Sequence, residues 1–171
     1  MRGTVIVIRE TIKHFELEEY SELLIQATSV CVENGNNDLT VTAICYPIQG
    51  GADETRFTSF SQTLGDRFIS SGDYNAKHSH WDSKLITSKG RALLKVANSI
   101  NADIISIRKP TDSRKIPDLL DFFVIKDISF NYVKAEELVE LKSDHNPVLL
   151  SLSSNVVMQK RKHFLTNKHT D

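Results

Sequence analysis

At 171 residues, with 40% apolar and 25% charged residues, the chain suits one soluble globular domain or a large part of one. A net charge of −1 excludes a global positive field, so a nucleic-acid partner would have to be met by a local patch. The two cysteines, Cys31 and Cys45, have no pairing pattern and read as reduced core thiols, no apolar run is long enough to cross a bilayer, and the amino terminus lacks a signal-peptide core.

In chain order, "TVIVIRE" opens with a β-branched apolar run that predicts a strand over Thr4 to Ile8. "ATSVCVE" and "LTVTAICY" alternate in polarity around "NGNND", whose residues tolerate positive φ, and predict a hairpin. Pro47 to Asp53 is a loop. Phe57, Phe60 and Leu64 recur at i, i+3 and i+7, which predicts an amphipathic helix capped by Asp53. "RFISSGDYN" reads as a short buried strand, and "SKGRALLKVANSIN" as a second helix striped by Leu93, Leu94, Val96, Ala97 and Ile100. "ADIISI" and "LLDFFVIKD" are strands on either side of a basic loop, "RKPTDSRKIPD". A further strand, a loop containing Ser143-Asp144-His145 and a final strand from Val148 to Leu152 complete the folded part. Strands outnumber helices, most connections suit antiparallel pairing, and the helices fall between strand groups, so the fold class is layered α/β with helices outside the sheets. The expected division is a domain over residues 1–153 and a basic tail over 154–171.

Chemistry concentrates where strands end. In "GDYNA", Asp73 and Asn75 stand at i and i+2, so on an extended strand their side chains share a side, and Gly72 would let the backbone pass close to whatever they hold. A carboxylate and a carboxamide on one side can hold a hard cation or orient a water against a phosphoryl group; an Asx-turn closing the strand is the equal alternative. His145 beside Asp144 has the makings of a general base, though a surface loop accounts for that tripeptide as well. Asp121 opens the apolar run Phe122 to Ile125, where a buried carboxylate must be paired or hydrogen-bonded. Tyr46 ends a strand either as a site residue or as an aromatic plug. His78 and His80 lack a third soft ligand at metal spacing, and Trp81 reads as a packing anchor for the loop. Lys77, Lys84, Lys89, Arg91, Arg108, Lys109, Arg114 and Lys115 fall in loops beside the strand ends, as a phosphate-contacting rim or a solvated charged face.

In this order, Tyr46-Pro47, "GDYNA", "LDFF" and "SDH" resemble the endonuclease/exonuclease/phosphatase superfamily. "TLGDRFISSGDYNAKHSHWDSK", "KGRALL", "RKIPDLLDFFVIKDI" and "SDHNPVLLSL" are similar to the endonuclease segment of jockey-type non-LTR retrotransposon polyproteins, from about Gly3 to Leu152. The resemblance implies a four-layered α/β sandwich of two mixed sheets and Mg²⁺- or Mn²⁺-assisted hydrolysis of a DNA phosphodiester, with the site of action in the nucleus. It implies that Asp73 and Asn75 position the attacking water and the phosphate. His145 contacts the phosphate or acts as base, Asp121 orients His145, and Tyr46 lies at the phosphate. Asp144 holds metal, Thr111 and Ser143 line the pocket, and Arg108, Lys109, Arg114 and Lys115 meet DNA. The family's first-strand asparagine and second-strand metal-binding glutamate precede the segment matched by "RGTVIVI". The expectation is therefore a domain without its first two strands, either weak or inactive in isolation, or a remnant that binds DNA or has no function. The tail resembles the start of a linker toward a reverse transcriptase. Neither a membrane nor a protein partner is implied.

Overall fold

A computed structural model describes residues 4–22, 24–35, 37–47, 49, 51, 53–107, 121–137 and 148–153, with Asp121 and Glu137 described by backbone alone. Nine strands and two α-helices are found among them. The strands are β1 (His14–Glu16), β2 (Tyr20–Ser21), β3 (Gln26–Val32), β4 (Leu39–Cys45), β5 (Phe68–Asp73), β6 (Ala102–Ile105), β7 (Asp121–Lys126), β8 (Val133–Glu137) and β9 (Val148–Leu152). The helices are α1 (Glu54–Thr63) and α2 (Ser88–Ser99).

The larger sheet runs β1-β3-β4-β5-β7-β6, with β2 also pairing with β3. The alternation seen in sequence sets its central hairpin. Ala27 lies opposite Ile44 and Ser29 opposite Thr42, all on one face, and the Ser29 and Thr42 hydroxyls satisfy each other at 2.9 Å in the interior. Around the turn, Gly35 takes φ 68° and Asn34 N–H donates to Asp38 Oδ1. From β4 the chain crosses over through α1 to β5, the parallel pair of an otherwise antiparallel sheet. Such a crossover demands a helix-length connection, which α1 supplies.

Two cores result. Phe57 and Phe60 of α1, and Leu93, Val96 and Ala97 of α2, bury one face of the sheet together with Ile44, Phe68, Phe122 and Val124. On the opposite face Ile69, Ile105, Phe123 and Ile125 pack against Val133 of the small β8–β9 sheet. Among the described residues the order of layers is thus helices, sheet, sheet, as expected of layered α/β. Asp53 caps α1 as its sequence position predicts, accepting from Thr55 N–H.

The amino-terminal segment differs from expectation. Residues 4–9 join no ladder among the described residues, and the first strand is β1. Thr4 is tied to Thr28 by side-chain and carbonyl hydrogen bonds, while Val5 and Val7 are 78% and 91% exposed. The segment keeps the two-residue period of a strand, with Thr4, Ile6 and Ile8 half-buried, but Thr4 meets β3 through the Thr28 hydroxyl and not through a ladder.

Candidate functional site

Strands β4 and β5 end, and β7 begins, on a common level: Cys45 pairs with Asp73, and Asp73 with Asp121. One residue past β4, Tyr46 N–H donates to the Asp73 carbonyl at 2.8 Å, prolonging the ladder. The chain then reverses after Asp73. Asn75 sits in the left-handed region at φ 47°, where asparagine is better tolerated than most residues. Its N–H donates to Asp73 Oδ1 at 3.0 Å, and its Nδ2 donates to the Tyr46 carbonyl at 2.8 Å. The i, i+2 placement expected of an extended strand therefore does not hold. Asp73 and Asn75 are brought together by an Asx-turn, and Asn75 also staples that turn to the end of β4.

Tyr46 is fully buried, its ring 5.3 Å from that of Phe57, and its hydroxyl donates to the Gly51 carbonyl at 2.9 Å. Above this ring, 4.0 Å from its centroid, lies the ammonium of Lys89, which donates to the Pro47 carbonyl at 2.7 Å. Lys89 is no loop residue. It stands in the first turn of α2 and is only 4% exposed. Burial pushes its pKa down to about 8, against the pull of the negative Asp73. Its spacing held a signal: Lys89, Leu93 and Val96 fall at i, i+4 and i+7, so the lysine shares the buried stripe of the helix.

The loop after Asp73 is clamped to α2. Thr87 caps the helix, its Oγ1 accepting from Gly90 N–H and Lys77 N–H, while Thr87 N–H donates to the Lys77 carbonyl. Trp81 is buried, donates from Nε1 to the Ala76 carbonyl and stacks at a tilt on Phe122. Phe122 also stacks on Tyr74, whose hydroxyl donates to Ser70 Oγ at 2.6 Å and is pushed well above the ordinary tyrosine pKa by burial. His78 Nδ1 accepts from His80 N–H, and burial, followed by the charges of His80 and Arg91, lowers its pKa. These groups hold the loop in place. Gly72 is a correction: its φ is 137°, and a Cβ there would stand 2.2 Å from the Ile44 carbonyl oxygen, so the close approach it permits is to β4 and not to a ligand.

Of the sequence-derived site residues, Tyr46, Asp73, Asn75 and the backbone of Asp121 meet at this one end of the sheet. Thr111, Arg108, Lys109, Arg114, Lys115, Ser143, Asp144 and His145 lie outside the described residues. The strand that follows His145 starts at Val148, while its far end, Leu152, lines a cleft of about 680 Å³ with Asn37, Arg67, Asn101 and Asp127. That cleft is at the opposite end of the large sheet, so β9 begins toward the Asp73 end. Among the described residues no group of three or more His, Cys, Asp or Glu could hold a metal ion, and no helix is long and apolar enough to cross a membrane.

A family model described as Endonuclease-reverse transcriptase matches residues 41–149. The chain is 28% identical over 173 residues to "Probable RNA-directed DNA polymerase from transposon BS" of Drosophila melanogaster, covering 99% of this chain and 19% of that protein. It is 28% identical over 154 residues to the RNA-directed DNA polymerase from mobile element jockey of Drosophila funebris, covering 88% of this chain and 17% of the relative. The chain thus spans about a fifth of the length of the curated relatives it matches. Its fold is that of the solved endonuclease domain of TRAS1, a telomere-specific non-LTR retrotransposon, with a TM-score of 0.73 at 16% identity over 86% of this chain and 70% of that one.

Proposed function

Since the chain belongs to the endonuclease-reverse transcriptase family, we propose that it is the endonuclease domain of a non-LTR retrotransposon polyprotein, cutting DNA at the rim formed by Asp73 and Asn75, with Tyr46 buried beneath it. The observation that carries this reading is the common level at which β4 and β5 end and β7 begins, because it gathers residues distant in sequence at one edge of the sheet. Asp73 and Asn75 hold the attacking water and a phosphate oxygen from one side. His145, oriented by Asp121, takes the proton from that water as its oxygen bonds to phosphorus, and the bond from phosphorus to the 3′ oxygen breaks, that oxygen leaving as a hydroxyl with a proton from solvent. Thr111 and Ser143 line the pocket, and Arg108, Lys109, Arg114 and Lys115 contact flanking phosphates. A chromosomal substrate would place this work in the nucleus.

Mg²⁺ or Mn²⁺ belongs to the proposal through Asp144, and would supply positive charge at the phosphate when bound. At the described rim the donor set falls short of a metal site: Asp73 Oδ1 already accepts from Asn75 N–H, and no group of three ligands forms. No step is therefore routed through the ion.

Nicking of supercoiled plasmid in the presence of Mg²⁺ tests the reading. For this chain in isolation the expected result is at most slow accumulation of open circles, lost in an Asp73→Ala, His145→Ala double variant. Equal nicking by that variant would assign the cleavage elsewhere. Salt-dependent DNA affinity without nicking, abolished when Arg108, Lys109, Arg114 and Lys115 are neutralised, would favour a DNA-binding domain instead.

A further inference from the structure

We propose that Lys89 is a positioning residue of this site, locking the Tyr46-Pro47 turn against the Asp73–Asn75 loop and placing a fixed positive charge under the rim. The inference rests on the endonuclease reading for its purpose, though not for its geometry.

Two contacts and burial converge on this side chain. The Lys89 ammonium bonds to the Pro47 carbonyl at 2.7 Å, covers the Tyr46 ring at 4.0 Å and is removed from water. The two carbonyls of this turn therefore have separate holders: Asn75 Nδ2 takes that of Tyr46, and Lys89 takes that of Pro47. Since Tyr46 N–H in turn reaches the Asp73 carbonyl, a displacement at Lys89 is transmitted directly to the residues of the rim. The helix that carries Lys89 is fixed from the other side by the Thr87–Lys77 clasp. A buried ammonium is costly, and neither packing nor helix formation calls for one here, since a methionine would fill the same stripe. A reason to keep the charge exists if an anion must approach. A phosphodiester arriving beside the Asp73 carboxylate brings two negative charges together, and a desolvated cation behind Tyr46 offsets their repulsion. Being buried, Lys89 does this without contacting DNA.

The test uses the full chain with ¹⁵N-labelled lysine and follows the Lys89 ammonium by NMR, identified by its loss in Lys89→Met. The expected signal is displaced by the Tyr46 ring current, and its titration midpoint falls by several tenths of a pH unit or more in Asp73→Asn, because the coupling between the two charges is reciprocal. A midpoint unmoved in Asp73→Asn overturns the proposal, and this arm needs no folded Lys89 variant. In the nicking assay, Lys89→Met is expected to lose about tenfold or more in kcat with little change in KM, while Lys89→Arg, which can still bond to the Pro47 carbonyl and stack on Tyr46, recovers most of the rate. Wild-type nicking by Lys89→Met also overturns it. If the wild-type chain neither nicks nor binds DNA, the endonuclease reading fails, and the Lys89–Asp73 coupling still decides whether the lysine positions this rim.

Discussion

Replacing Gly90 with alanine should destabilise this protein, although the same change inside an exposed helix is stabilising by about 1 kcal/mol. Gly90 is the third residue of α2 and has no left-handed backbone that would demand glycine. What demands it is the neighbouring loop. A Cβ at Gly90 would lie 1.9 Å from the Lys77 carbonyl oxygen and 2.6 Å from its carbon, so helix and loop would have to part by roughly 1.5 Å to restore ordinary contact. Neither side is free to give. Thr87 N–H holds the Lys77 carbonyl, and Thr87 Oγ1 accepts from both Lys77 N–H and Gly90 N–H. Losing two of these bonds costs about 1 kcal/mol each, and overpacking adds about 1–3 kcal/mol. Set against the propensity gain, the net loss is about 2–4 kcal/mol. Urea unfolding followed by the fluorescence of Trp81 measures it well, because Trp81 is the only tryptophan and is bonded to Ala76 in the same loop. A Gly90→Ala protein as stable as the wild type, or more so, would refute the argument that α2 and the site loop are in backbone contact.

Gly72→Ala should cost about 3 kcal/mol or more, since it combines a φ of 137° with a Cβ 2.2 Å from the Ile44 carbonyl oxygen; thermal melting reads the loss. At Asn75, glycine should be milder than alanine. Both lose the bond to the Tyr46 carbonyl, about 1 kcal/mol, but only alanine adds about 1 kcal/mol for φ 47°, and equal melting temperatures for the two variants would show that the backbone is unstrained there. Lys89 should leave a pH signature in stability. The folded protein releases its proton near pH 8 and the unfolded chain near 10.5, so the unfolded state binds more protons between these values. Stability from this group therefore rises as pH goes from about 8 to 10.5 and is withheld below about 8. Cys31, Tyr20 and Tyr74, all with pKa values raised mainly by burial, act in the opposite direction, but equally in Lys89→Met, so the stability difference between wild type and variant should shift in favour of the wild type from about pH 8 to 10.5 in denaturant titrations.

Much of the architecture was legible because its signals are local. The alternation in "ATSVCVE" and "LTVTAICY", the turn residues between them, the i, i+3, i+7 spacing of Phe57, Phe60 and Leu64 and the Asp53 cap each depend on neighbours within a few residues, and each appears in the fold. The strand expected over Thr4 to Ile8 failed for a complementary reason. β-branched composition favours extended backbone but cannot state whether another backbone lies alongside to bond with it. Glycine misled in a similar way: at Gly72 the sequence shows that something comes close, and only the fold shows that it is the Ile44 carbonyl.

By itself the sequence determined the class of the fold, the order of its strands and helices from the β3–β4 hairpin onward, and the strand-end positions at which Tyr46, Asp73, Asn75 and Asp121 stand. Tertiary structure alone decided how those positions are used. Asn75 turns back to hold Tyr46, the Tyr46 hydroxyl faces Gly51 instead of solvent, and Lys89 leaves the charged surface for the interior. The physical reason is range. Hydrogen-bond periodicity and apolar spacing act over a single turn or strand pair, whereas burial of a charge depends on which distant segments close over it.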